Sequence, residues 1–273
     1  MITIKDLGFA YGDKAVLKNI TMNLKDGRIY GLLGENGVGK TTLLTLLSGL
    51  KKPQRGTIDT DGMNPYDRLP SFLSDQYYMS DEVAEANMKA IDYARNYGRF
   101  WENFSLEKFQ EIMVALEGDA EQKMNKMSFG QLKKIYIAFA LACNTKYLFM
   151  DEPTNGLDIP SKALFRKAIT RYTREDSVIV ISTHQVRDLE SIIDPIIILD
   201  RQDVLLNASI SEISEKLYFD YTNEKKQDAL YCEMIPGGNI QVYLNNSGEE
   251  SKVHLEALFN TVHKHKELIK GIF

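Results

Sequence analysis

Gly34-Glu35-Asn36-Gly37-Val38-Gly39-Lys40-Thr41 decides the reading of this 273-residue chain. The short apolar run before it, Arg28-Ile29-Tyr30-Gly31-Leu32-Leu33, reads as a strand, and Leu43, Leu44, Leu46 and Leu47 follow at helical spacing up to Gly49. Between strand and helix, G-x-x-x-x-G-K-[ST] is a phosphate cradle. Its glycines let backbone N–H groups converge on phosphate oxygens, and the helix start adds the positive end of its dipole. Gly34, Glu35, Asn36, Gly37, Val38, Gly39 and Thr42 are therefore expected to line a nucleotide. Lys40 is expected to reach its β- and γ-phosphates, and the Thr41 hydroxyl to ligate Mg2+.

Further along, Tyr147-Leu148-Phe149-Met150-Asp151-Glu152 is an apolar strand that ends in two acids. Ligands of parallel α/β sheets gather at the carboxyl ends of the strands. Asp151 is then placed to hold Mg2+, and Glu152 to polarise an attacking water as general base. Ser128-Phe129-Gly130-Gln131 precedes a helix with Leu132, Ile135, Tyr136 and Phe139 on one face. This stretch reads in two ways. It is a capping box, S-x-x-Q, or a helix start whose serine hydroxyl and bare Gly130 backbone receive a γ-phosphate held by another subunit.

With these pieces in order, residues 1–210 resemble the ATP-binding subunit of an ATP-binding-cassette (ABC) transporter. The serine–glycine–glutamine helix start, followed about twenty residues later by the acid pair and then Thr154-Asn155-Gly156-Leu157-Asp158, carries the resemblance. It implies that Tyr11 stacks on adenine and that Gln76 is the glutamine linking Mg2+ and water to a helical subdomain. It further implies that His184, in Ile181-Ser182-Thr183-His184, contacts the γ-phosphate, and that Ser128, Gly130, Gln131 and Asp158 face the opposite subunit. Phe129 stands where the family has glycine, Met127 where it has leucine, and Asn155 where serine is commoner.

The resemblance implies an α/β P-loop cassette. It would have an N-terminal antiparallel β subdomain, a mostly parallel core sheet and an inserted helical subdomain over about 65–130. The pattern itself supports this: residues 2–24 alternate around Tyr11-Gly12-Asp13, and strands at 147–150, 177–182 and 196–199 alternate with helices. The stretch 65–126 reads as mostly helical, its aromatics forming either subdomain core or a docking groove. Residues 211–273 read as a small α+β appendage, with a hairpin turning at Pro236-Gly237-Gly238-Asn239 and a helix carrying Leu255, Leu258, Phe259 and Val262.

Composition bounds the rest. Apolar and charged fractions of 44% and 26% are those of a soluble globular protein, and the net charge of −5 gives no basic footprint for nucleic acid. Cys143 and Cys232 lack metal-ligand company and suit a reducing cytoplasm. There is no signal-peptide pattern and no run of the ~18–20 apolar residues that a span needs. The expected protein is a Mg-dependent ATPase that pairs with a second copy around two ATP. It would sit on the inner face of the cell membrane through a separate polytopic subunit, export-type by resemblance. The competing readings are a soluble cassette acting on ribosomes or nucleic acid, and a non-catalytic regulatory cassette.

Overall fold

The computed structural model describes residues 1–224 and 228–273. Its centre is a six-stranded sheet in the order β5 (Gln76–Met79), β6 (Tyr147–Asp151), β7 (Val178–Thr183), β3 (Arg28–Leu33), β8 (Ile196–Asp200), β9 (Asp203–Ala208). All neighbours pair in parallel except β9, which returns antiparallel to β8. The middle strands are apolar on both faces because helices cover both: every residue of β6, β7 and β8 is buried. Against this sheet pack α1 (Lys40–Leu47), α5 (Phe129–Ala142) and α6 (Ile159–Tyr172).

A three-stranded antiparallel sheet precedes it, with β1 (Ile2–Tyr11) between β2 (Lys14–Leu24) and β4 (Arg55–Thr60). The alternation read over 2–24 is realised here: Ile2, Ile4 and Leu7 face inward, and Leu24 pairs opposite Ile2. Strand β4 was not legible. Its Arg55, Thr57 and Asp59 are exposed and only Ile58 and Thr60 are buried, so it shows almost no apolar pattern.

The stretch 65–126 carries α2 (Pro70–Leu73), α3 (Ala90–Gly98) and α4 (Leu106–Ala115), but it also holds β5. That corrects the helical reading of this stretch, because Gln76–Met79 is an edge strand of the core sheet, paired with β6. The aromatics are mainly core. Tyr77, Tyr93, Trp101 and Phe104 surround Phe139 of α5 with ring centroids 5.3–5.7 Å from it, while Tyr97 and Phe100 stay exposed.

After β9 come α7 (Ile210–Lys216) and a second antiparallel sheet. In it β12 (Gly238–Leu244) lies between β10 (Leu217–Thr222) and β11 (Tyr231–Ile235), followed by α8 (Leu255–Lys264) and α9 (Lys266–Ile272). Ile235 pairs with Gly238, so the hairpin turns on Pro236-Gly237 alone, two residues tighter than expected. Ile240, Val242, Leu258 and Val262 share one continuous apolar core with Ile196, Ile198 and Leu206 of the large sheet.

Candidate functional site

Four strands deliver the site from their carboxyl ends. β3 runs into the glycine loop, β7 ends at Thr183 just before His184, β6 ends in Asp151 with Glu152 next, and β5 leads to Asp81. A cavity of about 360 Å³ opens there, lined by Tyr11, Lys14, Val16, Asn36, Gly37, Gly39, Lys40, Thr41, Thr42, Asp81, Asp151 and Glu152. Gly34 has to be glycine, since a Cβ there would lie 2.6 Å from the Leu199 carbonyl oxygen. Gly39 takes φ +113° at the start of α1, a conformation that side chains resist.

Lys40 is buried, and its Nζ donates to the carbonyls of Gly34 (2.8 Å) and Glu35 (3.1 Å). Burial pulls its pKa below the usual lysine value, against the opposing pull of Glu152 and Asp151. Thr41 Oγ1 donates to Asp151 Oδ2 at 2.6 Å, and the buried Ser182 hydroxyl donates to Asp151 Oδ1. Glu152 is buried with φ +45°, a left-handed conformation unusual for a non-glycine residue and of the kind that clusters at active sites. Its N–H is held by Ser182, and its Oε1 lies 2.8 Å from His184 Nδ1 and 3.7 Å from Lys40 Nζ. An ionised Glu152 can only accept, and the contact is then made by a proton on His184 Nδ1.

Tyr11 is half exposed at the cavity rim, edge-on to Phe9, with the Lys51 ammonium 4.9 Å from its ring centroid. Ser128 caps α5 in a full capping box: Gln131 N–H donates to Ser128 Oγ at 3.3 Å, and Ser128 N–H donates to Gln131 Oε1 at 2.8 Å. Neither they nor Gly130 line the cavity of their own chain. Asp158 is exposed and caps α6, accepting from Ser161 N–H at 2.9 Å; the Ser161 hydroxyl first, and this N–H second, lower its pKa.

Gln76 is misplaced in the sequence reading. It is the first residue of β5, paired with Tyr147 at the amino end of β6, whereas the acids sit at the carboxyl ends. A strand rises about 3.3 Å per residue, so its side chain is far from the loop, and its Oε1 is buried with no hydrogen-bond partner. Asp81, two residues past β5, lines the cavity in its stead. The available signal was the alternation of Tyr77 and Met79, which marks a strand and puts the ligand end after it. Lys14, Val16 and Ser182 were also missed; Ser182 was legible as the polar residue of β7 level with Asp151.

With the geometry in place, the matching family model is that described as ABC transporter, over residues 17–155. The chain belongs to the ABC transporter family. Among its relatives, a putative ABC transporter ATP-binding protein of Pyrococcus furiosus is 30% identical over 247 residues, covering 86% of this chain and 94% of the relative. The bacitracin transport ATP-binding protein BcrA of Bacillus licheniformis is 28% identical, covering 94% and 90%. A solved bacterial ABC transporter cassette, itself dimeric, shares the fold at TM-score 0.69 and 24% identity, covering 77% of this chain and 98% of that one. The chain is accordingly an ATP-binding subunit of an ABC transporter. Among the described residues no helix is long and apolar enough to cross a membrane.

Proposed function

We propose that this ABC subunit hydrolyses Mg-ATP as a head-to-tail pair of cassettes, driving the movement of a cargo through a separate membrane subunit on the cytoplasmic face. The observation that carries the reading is the split between two places in one chain. The cradle, Asp151 and Glu152 line one cavity, to which His184 is joined through its contact with Glu152, while the Ser128 helix start does not line it. A second copy is needed to bring a Ser128 start to each cradle. The relatives support the pairing and the transport role by their names: one solved cassette is dimeric, and BcrA is a bacitracin transport protein.

The oxygen donors suit a hard divalent cation. Thr41 and Asp151 already share a hydrogen bond, and the Asp81 carboxylate lines the same cavity. Mg2+, when bound, supplies charge neutralisation of the phosphates. The protein's own groups do the rest: loop amides and Lys40 hold the triphosphate, Glu152 takes a proton from the attacking water, and His184 orients Glu152. Tyr11 offers an aromatic face to the base. The chain divides in this reading at about residue 210. The sheet β10–β12–β11 with α8 and α9 is then a C-terminal unit seated beside the segment that follows His184, where Arg187 pairs with Glu256 at 2.6 Å.

The test is Glu152→Gln. It is expected to bind ATP, to lose about 10²–10⁴-fold in phosphate release, and to elute as an ATP-dependent dimer on gel filtration. Adding Ser128→Arg should return it to monomer with ATP still bound. A dimer that survives Ser128→Arg contradicts the pairing. Wild-type turnover in Glu152→Gln removes that carboxylate from the base role.

A further inference from the structure

Two of the three departures from the family pattern, Phe129 and Asn155, lie in one cluster built around a buried cation. Lys133, one turn into α5, is 0% exposed. Its Nζ donates to Asp81 Oδ1 at 3.0 Å and to the Glu152 carbonyl at 3.2 Å, and lies 5.6 Å from the Phe129 ring centroid. Asn155 Nδ2 donates to both Asp81 oxygens at 3.3 Å. The same turn of α5 is seated on the loop after Glu152: a Cβ on Gly130 would lie 2.8 Å from the Gly156 carbonyl oxygen, and one on Gly156 would lie 2.4 Å from the Phe129 ring.

An ammonium taken wholly out of water needs its partners, and losing one leaves an uncompensated charge. Lys133 therefore cannot ignore movement of Asp81 or of the Glu152 backbone. Both partners border the nucleotide cavity, and Asp81, 42% exposed, is free to respond to what enters it. Five residues before Lys133 on the same chain is the Ser128 cap.

We propose that Lys133 is a positioning residue that couples each subunit's own cavity to the helix start it offers to the partner. Its links to Asp81 and to the Glu152 carbonyl carry the occupancy of one site to the Ser128 end that closes the other. This rests on the paired-cassette reading. Phe129 and Asn155 belong to the device, one covering the ammonium and the other steadying Asp81.

The experiment uses the full chain at a concentration where it is monomeric, with Mg-ADP as the probe and amide hydrogen exchange of residues 131–135 as the readout. ADP is expected to change exchange there at least about fivefold in the wild type, the low end of site-to-site coupling. In Lys133→Met the change should vanish while the ADP Kd stays within about threefold, and Lys133→Arg should restore it. Should Lys133→Met fail to fold, Asp81→Asn decides, read at Mg-ADP levels that saturate it because this carboxylate also borders the proposed cation site; it keeps Lys133 and should likewise abolish the change. An undiminished response in either folded variant, or none in ADP-bound wild type, overturns the coupling and leaves the ATPase reading standing. A wild-type chain that binds no ADP overturns both.

Discussion

His184 Nδ1 lies 2.8 Å from Glu152 Oε1, and the His184 backbone N–H points at the other carboxylate oxygen at 3.4 Å. Two adjacent parallel strands, β6 and β7, make this contact, bringing together residues 32 positions apart in sequence. The histidine thereby fixes which way the Glu152 carboxylate faces.

His184→Ala should therefore uncouple binding from chemistry. Phosphate release is expected to fall about 10²–10³-fold, the loss typical of removing one oriented group, with ATP affinity changed only a few-fold. Equilibrium nucleotide binding beside a phosphate-release assay checks this. A parallel collapse of both would make His184 a binding residue.

Gln76 and Asp81 separate cleanly by mutation. Gln76→Leu removes a buried, unpartnered amide oxygen at the far end of β5, so turnover should hold and the melting temperature should stay level or rise. Asp81→Ala should lower turnover, most visibly at limiting Mg2+. A crippled Gln76→Leu with intact Asp81→Ala would restore the glutamine to the role its sequence position suggested.

Lys40 links binding to pH. Burial holds its pKa below that of an ordinary lysine, about 10.4, so part of the population loses its charge at a lower pH than usual. A triphosphate favours the charged form, so binding draws a proton onto Lys40 as pH rises toward its pKa. Affinity is expected to weaken on the alkaline side, with proton uptake growing there; calorimetry in buffers of different ionisation heat reads both. Lys40→Met should abolish the uptake and most of the affinity.

At the other end of the sheet, Asp61 gathers Lys146, the Met1 amino group (2.7 Å) and the Tyr147 hydroxyl (2.5 Å). Burial pushes its pKa up, but these partners outweigh it and hold the carboxyl well below the usual range. A depressed carboxylate stabilises the fold above its unfolded pKa and stops doing so as pH falls through the folded value. Asp61→Asn should cost about 1 kcal/mol at pH 7, modest because the group is partly exposed, and the gap should narrow as pH falls below about 4. Urea unfolding at several pH values measures it.

The phosphate cradle, the acid pair, the strands that lead into these two, and the helix cap were readable from residues alone, because each rests on local chemistry at fixed spacing. Glycines permit the loop's backbone, a serine with glutamine three residues on closes a cap, and an apolar run ends where acids begin. What only the tertiary structure decided depends on which strand ends meet. Gln76 and Asp81 are five residues apart, yet β5 pairing with β6 puts one at each end of the sheet. Strand β4 is held by pairing with β1 and not by its own pattern. The cluster of Lys133, Asp81, Asn155 and Phe129 joins three separated segments, and a buried charge acquires its partners only when the chain has folded around it.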